Sequence, residues 1–265
     1  KDGKVYAATQ HSLPYTQKEE AQTQPAVLTE DKLHIYASGE GFAYTFSKHY
    51  GVFTSLVIDG QEQLAGLTRL TAFRALTDND VNMKARWMRT NVWQGENLDY
   101  AFNKVYDCKL EDGKIVVNGS VSGVSRKPFL HYTLTVQFYA DGRVDHTLNC
   151  NIAQDVIWLP RLGYEFILPQ SADAFSYYGH GPLESYCDLC HHAPVGMYSS
   201  TAQDEYVPYV RPQEHGNHNG DKRCVLQAPT TAAGNYCAPR KTVGEVRDGG
   251  PPDLCLHPST QTRSF

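Results

Sequence analysis

The sequence predicts an all-β fold of two packed sheets, and three observations support this class. Apolar and polar residues alternate with a period of two in several segments, Asp-Gly dipeptides punctuate these segments, and no segment keeps a period of 3.6 residues. A period of two gives each strand one apolar face. Two sheets can bury such faces against each other, as in a β-sandwich.

The first predicted hairpins have clear turn signals. Residues 42–46 alternate aromatic and small side chains, and the apolar segment 52–58 ends at the Asp-Gly pair 59–60. A second pair, at 112–113, precedes another apolar run. An Asp-Gly pair indicates a tight hairpin because both residues tolerate the positive φ that the turn requires.

The clearest predicted hairpin surrounds the Asp-Gly pair at 141–142. Residues 132–138 carry an apolar side chain at every second position, and residues 144–152 do the same except at His146. His146 therefore lies on the apolar face, where we expect a hydrogen-bonded core histidine rather than a ligand.

The composition divides the chain into four segments. Residues 1–15 predict the end of a preceding β-sandwich domain, and residues 16–28, rich in Gln and Glu, predict a linker. Residues 29–224 carry the strand pattern. Residues 225–265 lack alternating runs, so an irregular tail is predicted there. Since the first residues carry no hydrophobic signal region, we expect them to be internal to a longer protein.

Charge and cysteine content bear on partners and compartment. The net charge is −5 and no run of Lys or Arg occurs, which argues against binding to nucleic acid. No apolar run approaches the roughly 20 residues of a membrane span. The 7 Cys are irregularly spaced and odd in number, unlike a disulfide framework. The compartment stays open; the cytoplasm is favoured and the periplasm is the alternative.

Four motifs carry a family resemblance. Residues 73–80 read Phe-Arg-Ala-Leu-Thr-Asp-Asn-Asp, residues 159–163 read Leu-Pro-Arg-Leu-Gly, and residues 178–186 read Tyr-Gly-His-Gly-Pro-Leu-Glu-Ser-Tyr. Residues 206–217 read Tyr-Val-Pro-Tyr-Val-Arg-Pro-Gln-Glu-His-Gly-Asn. In order and spacing, these stretches resemble β-galactosidases of glycoside hydrolase family 2, from about residue 33 to residue 223.

The resemblance implies a C-terminal β-supersandwich domain of the galactose-mutarotase-like class, preceded by the last strand of an immunoglobulin-like domain. It implies a parent enzyme that hydrolyses terminal β-galactosides with retention, using two Glu residues of a separate barrel, commonly with Mg²⁺ and Na⁺ and as a homo-oligomer. This chain then holds no catalytic residue, metal or cofactor, and its partners are the other domains and the galactoside substrate. Leu76, His180 and Ser185 depart from the family's usual Pro, Arg and Asn, and residues 225–265 lack its late Trp.

The resemblance also places one acidic loop at the rim of the substrate pocket, with the candidate residues Asp78, Asn79, Asp80 and Asn82. The same residues are typical of an Asx-turn, and both interpretations stay open. A calcium loop is disfavoured because the spacing lacks the Gly and the distal Glu of an EF-hand. Six further residues are predicted to hold the motifs together rather than to react: Arg74, Arg161, Glu184, Tyr186, Arg211 and Glu214.

Glu184 and Glu214 are tempting as a catalytic pair, but aromatic residues and a Pro lie beside each of them. A buried Glu held by an Arg or by backbone NH groups is favoured, with Arg161 and Arg211 as natural partners.

Residues 187–191, Cys-Asp-Leu-Cys-His, match the C-x-x-C-H pattern of haem attachment. Since no second ligand pair follows at the spacing of a zinc site, two loop thiols are favoured over haem or zinc.

Two other functions stay open. A stand-alone sugar mutarotase needs a His acid and a carboxylate base that converge in a cleft, and no motif pairs them here. A carbohydrate-binding module needs exposed aromatic platforms. The 17 Tyr and 10 Phe can supply such rings, although a sandwich core accounts for most of them.

Overall fold

The all-β prediction is confirmed by the computed structural model of the chain. The structure describes residues 9–11, 24–88, 95–153 and 159–220, and the backbone of residues 223–227 and 236–237. These residues form antiparallel sheets with a few single helical turns. Among them, no helix has the length and apolar character that a membrane crossing would need.

Sheet I is a meander in which each strand pairs with the next one along the chain. Its strands are β1 (Leu28–Glu30), β2 (His34–Gly39), β3 (Phe42–Ser47), β4 (Val52–Ile58) and β5 (Gln61–Glu62). A short strand, β6 (Arg69–Thr71), follows it. A 3₁₀ helix (Asp78–Met83), the one-turn helix α1 (Lys84–Trp87) and a second 3₁₀ helix (Leu98–Tyr100) lead to sheet II.

Sheet II is a second meander with the longest strands of the described chain. They are β7 (Ala101–Glu111), β8 (Lys114–Gly123), β9 (Leu130–Phe138) and β10 (Val144–Ile152). The strand β11 (Gly163–Glu165) then pairs with β6. Sheet III has the order β13-β12-β14-β15, with the strands β12 (Ala174–His180), β13 (Val195–Thr201), β14 (Arg223–Gln227) and β15 (Tyr236–Cys237).

The main core lies between sheets I and II. Phe53 of β4 is 1% exposed, and its ring centroid lies 5.2 Å from that of Phe46 and 5.9 Å from that of Phe138 on β9. The apolar faces of β8 and β9 supply the opposite wall, where Ile115, Val136 and neighbouring residues are completely buried. The predicted sandwich of two packed sheets is therefore present.

The three Asp-Gly hairpins are confirmed. Asp59 (φ 49°) and Gly60 (φ 76°) join β4 to β5, and Asp112 (φ 49°) and Gly113 (φ 72°) join β7 to β8. Gly142, in the turn between β9 and β10, has a φ of 81°. These left-handed backbone conformations are the reason why the sequence needs Asp and Gly there.

The position of His146 is as predicted, but its hydrogen bonding is not. Its ring packs in the core, with its centroid 5.5 Å from Phe53 and 5.3 Å from Tyr164. The expectation of a satisfied histidine is wrong at Nδ1, which is buried without a hydrogen-bond partner among the described residues. Burial, opposed by the charge of Asp145, lowers the pKa of His146 to about 4. The ring is therefore neutral at pH 7.

The predicted linker 16–28 and the predicted irregular tail 225–265 both contain residues that belong to the sheets or pair with them. The end of the linker 16–28 is ordered by sheet II: Ala26 N donates to Phe138 O at 3.0 Å, Ala140 N donates to Gln24 O at 2.8 Å, and β1 begins at Leu28. These backbone groups gain partners by running beside the end of β9.

The predicted irregular tail, 225–265, contains β14 from Val225 onward and all of β15. β14 lies between β12 and β15, so it is hydrogen-bonded on both sides. β14 has only 5 residues, Arg-Cys-Val-Leu-Gln, which is too short a run to show a period of two, and this misled the prediction. The rest of this segment lies outside the described residues, as does most of the predicted strand in 1–15, in which residues 9–11 form no strand.

Candidate functional site

The sequence motifs meet at one place, which we call the loop cluster: residues 73–83, 159–162, 184–186 and 205–219. Backbone hydrogen bonds join these segments. Glu214 N donates to Leu76 O at 3.3 Å, and Ser185 N donates to Asn217 O at 2.6 Å. Segments that are more than 100 residues apart in the sequence are thereby held together at one edge of the sandwich.

Asp80 organises the first motif of the loop cluster. Its Oδ2 accepts hydrogen bonds from Thr77 N and Thr77 Oγ1, both at 2.8 Å, and from Arg74 Nη1 at 2.5 Å. Burial raises the pKa of Asp80, but the Thr77 NH and the Arg74 guanidinium outweigh burial and hold that pKa below its usual value. The Asp80 carboxylate therefore stabilises the turn at residues 77–80, as the Asx-turn interpretation predicts for this residue.

The other three candidates of the acidic loop differ from Asp80. Asp78, Asn79 and Asn82 are exposed. The backbone NH of Asp78 donates to Oε1 of Gln213 at 2.9 Å, so the loop is fixed while its side chains face outward. Gln213 was not singled out from the sequence, although it lies within the fourth motif.

Arg161 and Glu214 form a nearly buried ion pair, as the motif pairing predicts. The Nη2–Oε1 distance is 2.5 Å, and the side chains are 13% and 8% exposed. The ion pair fixes the segment 206–217 to the segment that precedes β11. Arg211, the other predicted partner, is exposed and forms no ion pair among the described residues.

Glu184 is held without an arginine. Its Oε1 accepts a hydrogen bond from the Tyr209 hydroxyl, and its Oε2 accepts one from Gly216 N at 3.0 Å. Burial raises the pKa of Glu184 even though the Gly216 NH and the nearby His215 oppose the shift. Glu184 and Glu214 thus have separate partners, and each ties part of the 206–217 segment to the sandwich.

Tyr186 lies among the charged residues of the loop cluster. Its hydroxyl is buried and has no hydrogen-bond partner among the described residues. Burial and the carboxylates of Glu184 and Glu214 raise the pKa of Tyr186, so the phenol remains neutral. Ser185 beside it is completely buried, and its carbonyl accepts from Asn217 Nδ2 at 2.6 Å.

Sequence reasoning missed the most buried charged pair of the loop cluster. Glu205 Oε2 accepts a hydrogen bond from His218 Nε2 at 2.9 Å, and the side chains are 9% and 3% exposed. Nδ1 of His218 faces the carbonyl of His180 at 3.1 Å, so both ring nitrogens face acceptors, which favours the imidazolium form. Burial raises the pKa of Glu205, but the hydrogen bonds from His218 and Ser200 and the charge of His218 together outweigh burial, and the net shift is downward. Glu205 immediately precedes the fourth motif and His218 immediately follows it, but no local pattern pairs the two residues.

This pair bears on the mutarotase alternative. Glu205 and His218 are the carboxylate and imidazole that such chemistry needs, yet they bind each other in the interior, and the His218 ring lies 4.4 Å from that of Tyr177. A proton-transfer pair must reach the substrate. The geometry therefore assigns Glu205 and His218 to the fold.

The C-x-x-C-H motif forms a tight turn. Tyr186 and Leu189 exchange two backbone hydrogen bonds of 2.9 Å, with the first cysteine exposed in the turn. No group of three or more His, Cys, Asp or Glu residues in the described part of the chain has the arrangement of a metal site. The geometry thus gives no support to haem or zinc at this turn.

The fold and the loop cluster define an all-β domain in which several motif residues bind one another. Comparison with known proteins identifies its family. A model of the beta galactosidase small chain matches residues 38–236. The chain belongs to this family.

The curated relatives are much longer than the chain. The β-galactosidase of Actinobacillus pleuropneumoniae is 30% identical over 195 residues, which cover 72% of this chain and 19% of the relative. That of Lactobacillus delbrueckii subsp. bulgaricus is 31% identical over 199 residues, with shares of 72% and 19%. That of Kluyveromyces lactis is 29% identical over 211 residues, with shares of 75% and 20%. The chain thus spans about one fifth of the length of these relatives.

Proposed function

We propose that this chain is a non-catalytic part of a β-galactosidase, which supports the catalytic barrel and borders the galactoside pocket. The parent enzyme hydrolyses terminal β-D-galactosides with retention, as a homo-oligomer, and its two catalytic Glu residues and its Mg²⁺ and Na⁺ sites lie outside this chain. The partners of the chain are the other domains of that enzyme and its galactoside substrate. Family membership and the names of the relatives support the enzyme class.

One observation carries the supporting role: the loop 206–212 is anchored at its base but exposes apolar side chains. Val210 is 102% exposed, Tyr206 is 57% exposed and Tyr209 is 37% exposed. The ion pair of Glu214 and the hydrogen bond from Tyr209 to Glu184 fix the loop on either side of Val210. Tyrosines and aliphatic residues on a preorganised loop are typical of a protein interface, because little entropy is lost when the partner binds.

The position at the pocket rim is supported by the neighbouring acidic loop. Asp78, Asn79 and Asn82 are exposed, and within the described ranges no hydrogen bond engages their side chains. The hydrogen bond from Asp78 N to Gln213 ties this loop to the residue that follows the loop 206–212. Amide and carboxylate groups are suited to the hydroxyls of a sugar. Asp80 is left out of this role because its buried carboxylate binds Arg74 and Thr77.

The supporting role is tested in a chimera in which this chain replaces the matched region of the Actinobacillus pleuropneumoniae enzyme. Val210→Asp places a charge in the proposed interface, and we expect the chimera to lose most of its activity while the isolated chain keeps its melting temperature. Val27→Asp is the matched control, because Val27 is 78% exposed and lies before β1. Equal effects of the two substitutions would refute the interface.

The rim is tested in the same chimera by separate alanine substitutions. Asp78→Ala, Asn79→Ala and Asn82→Ala should lower kcat/KM and leave the melting temperature unchanged, because these side chains are exposed. Asp80→Ala should lower the melting temperature, since it removes a buried partner of Arg74. If the first three variants keep their full kcat/KM, the acidic loop does not border the pocket.

A further inference from the structure

The outer face of sheet II carries an open groove that the proposed function does not use. Its volume is about 430 Å³, within the roughly 300–1,000 Å³ typical of small-molecule sites. The side chains that decide its chemistry are those of Tyr106, Asn118, His131, Thr133, Asn149 and Asn151.

Strand register builds this groove from two rows of polar side chains. Thr133 of β9 lies between Asn118 of β8 and Asn149 of β10. Two positions along β9, His131 lies opposite Asn151. Since alternate residues of a strand face the same side, these polar residues share the face opposite to the buried Leu134 and Val136.

Tyr106 forms a fixed wall of the groove. It occupies the extra position of a β-bulge in β7, where the register with β8 shifts between Val105 and Asp107. The ring remains 53% exposed, while its hydroxyl is hydrogen-bonded to Ser120 Oγ at 2.7 Å. It lies nearly parallel to the His131 ring, at an interplanar angle of 22° and a centroid distance of 6.4 Å.

The polar groups of the groove are largely uncommitted. Thr133 Oγ1 donates to Asn118 Oδ1 at 2.8 Å, which leaves the amide NH₂ of Asn118 without a partner among the described residues. The side-chain amides of Asn149 and Asn151 also have no partner in the described part of the chain. The groove thus offers several donors and acceptors beside two flat rings.

The residues that line the groove are uncharged, which limits the kinds of ligand that the groove can bind. No Asp, Glu, Lys or Arg lines the groove among the described residues. The ammonium of Lys104, which is not a lining residue, lies 5.6 Å from the centre of the Tyr106 ring. A nucleic acid needs several cations to neutralise its phosphates, and a protein interface needs an apolar centre. A ligand with many hydroxyls and an apolar ring face satisfies both the amides and the aromatic rings.

We propose that this groove binds a neutral saccharide, which stacks on Tyr106 and hydrogen-bonds to Asn118, Asn149 and Asn151. The proposal stands apart from the supporting role of the loop cluster, because it rests on a different face and on different residues.

The test is saturation-transfer NMR on the 265-residue chain with lactose and cellobiose as probes and galacturonate as the charged comparison. We expect saturable transfer to the ring CH protons of at least one neutral sugar. Tyr106→Ala should weaken this binding at least tenfold, and Asn149→Ala severalfold. Tyr50→Ala is the matched control, because Tyr50 is also 53% exposed but lies between β3 and β4; it should change the affinity less than twofold.

Thermal melting shows that each variant is folded, since both tyrosine rings are half-exposed and their removal leaves the core intact. Absence of saturable transfer from the folded chain to either neutral sugar would overturn the proposal. Equal loss of binding in Tyr106→Ala and Tyr50→Ala would show that the sugar does not bind in this groove. Tighter binding of galacturonate than of the neutral sugars would show that the site does not select a neutral saccharide.

Discussion

Two regions of this molecule are stabilised in different ways. Sheets I and II share a large apolar core, in which completely buried residues such as Phe53 and Val136 pack across the sandwich. Sheet III has a small core of Phe175 and Tyr177, with Tyr198 packed against it. Beside it, the loop cluster relies on ion pairs and hydrogen bonds.

The difference explains where the family motifs lie. In the apolar core, many side chains of similar size and pattern can fill the same space. In the loop cluster several carboxylates have specified partners, such as Arg161 for Glu214 and Gly216 for Glu184, so few other residues fit at these positions. Motif residues such as Asp80, Arg161 and Glu214 therefore fix loops through polar contacts of specific geometry.

The largest expected effect is the loss of an aromatic ring from the main core. Phe53→Ala should lower the free energy of unfolding by about 4 kcal/mol, because Phe53 is surrounded by other rings. Phe175→Ala, in the small core of sheet III, should cost less, about 2 kcal/mol. Urea unfolding monitored by circular dichroism measures both. A larger loss for Phe175 would contradict the comparison.

The second effect concerns the nearly buried ion pair. Arg161→Met removes the guanidinium from the nearly buried Glu214 carboxylate and should cost about 3 kcal/mol. The double variant Arg161→Met with Glu214→Leu should recover much of this loss, because no charge then remains buried. If the loss in free energy of unfolding of the double variant equals the sum of the losses of the two single variants, Arg161 and Glu214 do not stabilise the fold as a pair.

The smallest expected effect is a difference in the pH range over which His146 of the main core and Glu205 of the loop cluster stop contributing to stability. The pKa of His146 falls from 6.5 to about 4 on folding, so the unfolded chain takes up a proton first and stability is lost as the pH falls below 6.5. By pH 5 this loss amounts to about 2 kcal/mol. Glu205, with its folded pKa below 4.5, loses its contribution only as the pH falls below 4.5.

The variant His146→Leu isolates the contribution of the core histidine. Between pH 7 and pH 5, the free energy of unfolding of the variant should improve relative to that of the wild type by about 2 kcal/mol. Urea titrations at both pH values give this difference. A constant difference would show that His146 titrates alike in the folded and unfolded chain.

Sequence reasoning was strongest where local chemistry determines the structure. The Asp-Gly turns at 59–60 and 112–113 and the hairpin around 141–142 follow from positive φ and alternation. It was weaker where the partner is distant in the sequence. The Glu205–His218 pair and the Gln213–Asp78 contact depend on how the loops meet, which no local pattern encodes. β14 was missed because its 5 residues are too few to show alternation, and its partner β12 lies more than 40 residues earlier in the sequence.

We propose that this chain is part of a β-galactosidase and performs no hydrolysis itself. The direct measurement is the turnover of nitrophenyl β-galactoside by the isolated chain and by the chimera, both produced in a host that lacks β-galactosidase. We predict no turnover by the isolated chain and clear turnover by the chimera. A turnover number of the isolated chain within a few orders of magnitude of the ~10 s⁻¹ typical of enzymes would contradict the claim.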